Sequence, residues 1–175
     1  MDEHSPRKYW PLVVLGSFLL YSSAEAFSYP ARIDTGTNYG TPKLRVLASN
    51  TFIFNPRSLT WKAINANGSV VRTGRASGGR GYCPDIRRSC RTPSGTYRII
   101  SKGSASCRSS RYPLGGGGAK MPYCMFFSKY YAIHGSYDVP NYNASHGCIR
   151  VTPSDAYWLH RNFIRIGTKV IVKSY

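Results

Sequence analysis

Acidic residues are scarce. The 175-residue chain holds 7 Asp and Glu against 24 Lys and Arg, a formal net charge of +17. No glutamate follows Glu25, and beyond it only Asp34, Asp85, Asp138 and Asp155 remain. Chemistry built on clustered carboxylates, such as a di-metal centre or a glutamate-pair glycosidase, is thereby excluded. Neither a C-x-x-C pair nor an H-x3-5-H spacing occurs, so the usual zinc arrangements are missing and no metal or other cofactor is expected. There is no internal repeat. Charged residues make up only 18% of the chain, with 17 Gly and 11 Pro, which suits a loop-rich globular domain and not a coiled coil or a disordered chain.

A long apolar run is missing too. Trp10 to Tyr21 spans 12 residues, short of the about 20 a membrane-spanning helix needs. Arg7 and Lys8 precede this run, and Ser22, Ser23 and Ala24-Glu25-Ala26 follow it. A positive flank, a short apolar stretch and an A-x-A site make a secretory signal peptide over residues 1–26, cleaved after Ala26. An uncleaved anchor is the alternative, and Asp2 and Glu3 in the flank speak for it. Cleavage would leave no stable membrane span.

Five cysteines then enter an exported context: Cys83, Cys90, Cys107, Cys124 and Cys148. An odd count there suggests two bridges and one free thiol, or an intermolecular pair. Four cysteines allow three connectivities. Sequence order favours Cys83 with Cys90 and Cys107 with Cys124.

Strand and turn signals dominate the rest. Segments 51–55, 59–64, 69–73, 96–100, 130–133 and 169–173 read as strands, and Asn67-Gly68 marks a hairpin. One stretch, 152–163, reads as a helix, with Thr152 as cap, Pro153 in the first turn and Asp155 at the capping-box position. The class is mainly β with one short helix. Gly74 to Arg91, rich in arginine, and Gly103 to Ala119, ending in four glycines, carry no periodicity. Such long loops are mobile lids or linkers pinned by bridges.

The chemistry concentrates between His134 and Arg150. His134-Gly135-Ser136 follows an apolar strand, and Ser145-His146-Gly147-Cys148-Ile149-Arg150 comes ten residues later. A thiol is a strong nucleophile only as the thiolate, which needs a base or a cation beside it. Two histidines supply that need. Gly147 lets the backbone turn tightly, so that N–H groups can face a tetrahedral oxyanion. Arg150, two residues on, shares a face with the thiol if the segment is extended.

The stretch IHGSYDVPNYNASHGCIR resembles the signature of the L,D-transpeptidase catalytic domain (the YkuD-like domain), in which a His-Gly precedes S-H-G-C-[IV]-R. Thr92-Pro93-Ser94-Gly95-Thr96-Tyr97 resembles that family's T-P-x-G-x-[FY] segment, and Met121-Pro122-Tyr123 its M-P-Y. The likeness covers residues 45–175 and leaves 27–44 as an N-terminal extension. The gap between His134 and Ser145 is short for the family; it bears on the acceptor side of the cleft and leaves every catalytic position filled.

The resemblance implies a mixed, β-sandwich-like fold with one short helix after the catalytic cysteine. It also implies an exported enzyme of the bacterial periplasm and cell envelope, in which Cys148 attacks a peptidoglycan tetrapeptide stem, releases D-alanine and keeps a thioester. His134 would be the general base, oriented by a carbonyl near Gly135, and His146 a supporting residue. N–H groups around His146 to Cys148 would form the oxyanion hole, with Gly135, Gly147 and Ser145 shaping the loops. Arg150, Thr92, Pro93, Gly95 and Tyr123 would bind substrate, Arg150 alternatively holding the loop. The acceptor is a stem amine, a lysine of an envelope protein, or water, in which case the enzyme is an L,D-carboxypeptidase. His160 reads as a surface residue.

Two other classes compete. A cationic protein with 14 tyrosines could be a non-catalytic module binding the anionic envelope, but it would not need Cys148. The charge with interleaved aromatics could also suit nucleic acid; the export signal and the lack of a nucleic-acid motif exclude that partner.

Overall fold

The computed structural model describes residues 49–175. The expected signal peptide at 1–26 and extension at 27–44 lie outside the described residues. Within them the chain forms β1 (Thr51–Asn55), β2 (Thr60–Ile64), β3 (Val70–Ser77), β4 (Gly95–Arg98), β5 (Ser101–Lys102), β6 (Met125–Phe126), β7 (Ala132–Gly135), β8 (Ile149–Val151), α1 (Pro153–Trp158) and β9 (Lys169–Val172). The class is mainly β with a single short helix, as expected.

Alternation of apolar residues builds the first half. Phe52 and Phe54 of β1, Trp61 and Ala63 of β2, and Val170 and Val172 of β9 are buried while their neighbours are not, because alternate strand residues share a face. The Asn65–Gly68 turn joins β2 to β3; Gly68 takes φ +91°, and its N–H donates to the Asn65 carbonyl at 3.0 Å. The strand order is β4-β9-β1-β2-β3-β8-β7-β6-β5, with β1–β9 and β7–β8 parallel.

β3 joins the two halves. Its residues Val70 to Arg75 pair with β2, and Ala76 and Ser77 pair with β8. Gly74 is required at the crossing: a Cβ there would lie 2.6 Å from Trp61 Nε1 and 2.8 Å from Asp155 Oδ2. Ile133, Ile149 and Val151 from the second half join Phe52, Phe54 and Trp61 in one core, together with Ala156, Leu159 and Phe163 from the helical segment. Both halves therefore bury one face against a shared interior.

The helix starts as its sequence predicts. Thr152 Oγ1 accepts the Asp155 N–H at 3.2 Å, and Asp155 Oδ1 takes a 2.7 Å bond from Arg72 Nη2. The predicted single helix over 152–163 is corrected in its second half. Regular α-helix stops at Trp158, and Leu159–Phe163 forms a wider, π-helical turn. Lys102 Nζ donates to the carbonyls of His160 and Ile164, satisfying acceptors a helix end leaves open. His160 is not the surface residue expected: its half-buried ring packs 5.6 Å from that of Tyr123, and burial holds its pKa below the ordinary value.

Other boundaries shift. β3 runs to Ser77, four residues into the segment read as irregular. β7 covers 132–135 where 130–133 was expected, and β5, β6 and β8 carry no sequence signal. The cysteines pair as Cys83–Cys90 and Cys107–Cys124, leaving Cys148 free. Each bridge closes one of the two long loops. The native chain should therefore show one titratable thiol, at Cys148, and five after denaturation and reduction; thiol titration with a chromogenic disulfide checks this, and five thiols before reduction would contradict it. No helix among the described residues is long and apolar enough to cross a membrane.

Candidate active site

The register of the parallel pair β7–β8 assembles the site. Ile133 lies opposite Ile149, His134 opposite Arg150, and Gly135 opposite Val151. Ile133, Ile149 and Val151 enter the core, so the alternate residues, His134, Cys148 and Arg150, face the other side. That side opens into a cavity of about 430 Å³ whose wall includes His134, Ser145, His146, Cys148 and Arg150. The thiol and the imidazole thus share one strand-built surface.

His134 is 6% exposed. Its Nδ1 lies 2.9 Å from the Gly135 carbonyl oxygen. A carbonyl only accepts, so Nδ1 carries the proton and Nε2 keeps its lone pair. Burial lowers the His134 pKa to about 4 against the pull of the Gly135 carbonyl, and the Arg150 charge adds to the lowering. Burial also pushes the Cys148 thiol above its ordinary value, opposed by a hydrogen bond from the Ala132 main chain and by Arg150. Both effects favour a neutral thiol beside a neutral imidazole at rest.

Short hydrogen bonds shape the loop before Cys148. Ser145 Oγ donates to the Cys148 carbonyl at 2.6 Å and accepts the Gly147 N–H at 3.0 Å. Ser145 therefore organises the loop, and the Gly147 N–H is committed to it, which narrows the expected oxyanion donors to the N–H groups of His146 and Cys148. Gly147 has φ +118°, and a Cβ there would collide with the Tyr131 ring. Gly135 is pinned differently, its N–H donating to the Pro122 carbonyl at 2.8 Å.

The arginine-rich segment supports the same loop from beneath. The Ser145 N–H donates to Gly78 O at 2.9 Å, and the Arg80 N–H to Ser145 O at 3.0 Å. The Arg80 guanidinium reaches Ala144 O through Nε at 3.2 Å and Nη2 at 2.7 Å. Arg150 Nη1 donates to Asp138 Oδ2 at 2.6 Å, so it ties the chain between His134 and Ser145 to β8.

His146 points away from a base's role. Its Nε2 lies 2.8 Å from Asp85 Oδ2, and its ring stacks on Tyr112 with centroids 4.2 Å apart. His146→Ala should lower kcat/KM by less than His134→Ala does, since its ring steadies the loop through Asp85 and Tyr112 and takes no proton in the reaction. Steady-state kinetics beside His134→Ala check the order; a larger loss at His146 would exchange the two roles.

Four residues expected to bind substrate do not reach the cavity wall. Thr92 is buried between loops, its Oγ1 accepting the Gly79 N–H at 3.0 Å and its N–H donating to the Tyr175 hydroxyl at 3.0 Å. Pro93 offers its carbonyl to the Tyr97 hydroxyl at 3.1 Å. Gly95 opens β4 at φ +142°. Tyr123, at φ +57°, packs its ring on Tyr157 and His160. These positions brace the fold. Arg80, Asp85, Tyr112 and Tyr131 carry no site signal in the sequence, because their partners lie too far along the chain to form a motif.

Residues 50–172 match the family model described as L,D-transpeptidase catalytic domain. No curated protein matches the chain. Among solved structures, the chain is similar to an L,D-transpeptidase from Xylanimonas cellulosilytica, with 28% identity over 77% of this chain and 65% of that one, at a TM-score of 0.60. It is similar to L,D-transpeptidase 1 of Mycobacterium tuberculosis, with 26% identity over 72% of this chain and 62% of that one, at 0.55. The fold also matches L,D-transpeptidase 3 of the same organism in complex with a faropenem-derived adduct, at 22% identity over 72% of this chain and 60% of that one, TM-score 0.59. The chain spans less than two thirds of the length of each.

Proposed function

This chain belongs to the L,D-transpeptidase catalytic-domain family, and from that premise we propose that it is an exported cysteine acyltransferase acting on peptidoglycan tetrapeptide stems. The observation that carries the proposal is the pairing on one face of β7 and β8: a free thiol at Cys148 and a buried imidazole at His134 whose Nδ1 is held by the Gly135 carbonyl.

In the first half-reaction the Cys148 sulfur attacks the carbonyl joining the third residue to the terminal D-alanine. The thiol proton passes to His134 Nε2, the N–H groups of Cys148 and His146 stabilise the oxyanion, and His134 returns the proton to the departing amine. The C–N bond breaks, D-alanine leaves and a thioester remains on Cys148. In the second half-reaction an amine attacks the thioester, His134 takes its proton and the thiol is restored. The acceptor is the side-chain amine of a diaminopimelate on another stem, or a lysine of an envelope protein. Water in its place gives the L,D-carboxypeptidase reaction. Neither half-reaction calls for a metal or a cofactor. The signal expected over residues 1–26 supports export to the periplasm or cell envelope of a bacterium, where the strongly positive chain, +17 over its full length, would favour anionic wall material.

Mass spectrometry of purified disaccharide-tetrapeptide incubated with the mature protein tests this. Cross-linked dimers or exchanged stems support acyl transfer to an amine, and tripeptide alone supports hydrolysis. An unchanged substrate under both oxidising and mildly reducing conditions would overturn the proposal.

A further inference from the structure

The cavity around Cys148 collects cations that no carboxylate among the described residues neutralises. Arg88, Arg108, Arg111, Lys120 and Lys129 all line it. Acids within residues 49–175 number three, and each is already engaged: Asp85 with His146, Asp138 with Arg150, and Asp155 with Arg72. The five cavity cations therefore have no carboxylate partner among the described residues. They come from three separate segments, and like charges repel, so the scaffold must hold them together. The Cys83–Cys90 bridge closes the loop bearing Arg88, and Cys107–Cys124 closes the loop bearing Arg108, Arg111 and Lys120.

An aromatic platform holds two of the charges in place. Tyr130 has the Arg111 guanidinium 4.6 Å from its ring centroid and Lys129 Nζ at 5.2 Å. Stacking uses the flat face of a guanidinium and leaves its N–H edge for a carboxylate. Arg108 spends one nitrogen on the Gly118 carbonyl at 2.9 Å and keeps the others.

We infer that this basic wall is a carboxylate-reading subsite, so that the enzyme selects stem peptides whose carboxyl groups are free over stems in which they are amidated. The inference rests on the stem-peptide reading for the identity of the ligand, but the anion preference of the wall does not. A tetrapeptide stem carries carboxylates on its second residue, on diaminopimelate and at its terminus, and amidation of the first two replaces a charge with a neutral amide. An amide cannot satisfy two guanidinium N–H groups as a carboxylate does, and it gains nothing from the field of the wall.

Two measurements on wild type and on the Arg111→Gln/Lys120→Gln/Lys129→Gln variant test the inference, and none of the three residues belongs to the proposed catalytic set. The first compares alkylation of Cys148 by iodoacetate, an anion, with that by neutral iodoacetamide, referenced to the same ratio for a small uncharged thiol. Wild type should favour the anion by about tenfold over the reference, the low end for a cleft lined by one sign of charge, and the preference should shrink as salt is added. In the variant, where Arg88 and Arg108 remain, the ratio should fall severalfold toward the reference value while the iodoacetamide rate, which reports an intact site, holds. The second compares kcat/KM for disaccharide-tetrapeptides with free and with amidated carboxyls. About tenfold preference for the free form should likewise fall severalfold in the variant. Equal alkylation ratios in wild type and variant, or a wild-type preference for the amidated stem, would overturn the inference. If neither stem reacts while the alkylation preference holds, the peptidoglycan reading fails and the anion subsite stands.

Discussion

Cys148→Ala should abolish both stem exchange and stem trimming while the protein stays folded. The thioester has only one available sulfur, because Cys83, Cys90, Cys107 and Cys124 are consumed in bridges. The substitution removes one sulfur from a loop held by Ser145, Gly78 and Arg80, so the thermal midpoint should move little. Carbapenem acylation gives a second readout, since a strained β-lactam presents an acyl group to the same thiol. Wild type should gain the mass of the intact drug and the variant should not. Activity retained without Cys148 would end the assignment.

His134→Ala should cost on the order of 10²–10⁴ in the rate of acylation, the usual range for a positioned general base. The pH profile separates a catalytic loss from a structural one. An ordinary histidine would lose its basic form as pH falls through about 6.5. Burial lowers the His134 pKa to about 4, so its lone pair stays available through that range and is lost only as pH falls through about 4. The acid limb of kcat/KM for wild type should accordingly lie near pH 4 and should vanish in His134→Ala. Hydrogen-bond geometry points the same way, since the Nδ1–H donated to Gly135 O fixes the tautomer whose Nε2 can accept the thiol proton. A wild-type limb near 6.5 would mean that the imidazole is more hydrated than its burial implies.

The candidate site was legible where its residues are close in sequence. His134, Ser145, Gly147 and Cys148 fall within one short stretch, and alternation along β7 and β8 turns that closeness into a shared face. Strands with a clear period, β1, β2 and β9, were readable for the same reason, as was the Thr152 cap. β5 and β6, of two residues each, are too short to alternate, and β8, of three, alternates over too few residues to stand out in the sequence; all three depend on pairing with neighbours. Asp85, Tyr112 and Arg80 lie some tens of residues from the loop they touch, and single side chains at that separation leave no pattern. Thr92 and Tyr123 show the opposite: expected to bind substrate, they lie off the cavity wall. A residue that braces a fold and a residue that touches substrate look alike in one sequence. The five cavity cations are only scattered charge in the sequence; two disulfides close the loops that bear four of them, and Lys129 follows β6.

The central claim is a thioester at Cys148, and intact-protein mass spectrometry under acid quench tests it most directly. Wild-type protein mixed with disaccharide-tetrapeptide and no added acceptor should gain the mass of the whole disaccharide-tetrapeptide less D-alanine, with one D-alanine released for each protein acylated. Peptide mapping should place the adduct on Cys148, and hydroxylamine should remove it. Substrate consumed with no adduct trapped even in the first turnover, or an adduct carried by another residue, would contradict the account.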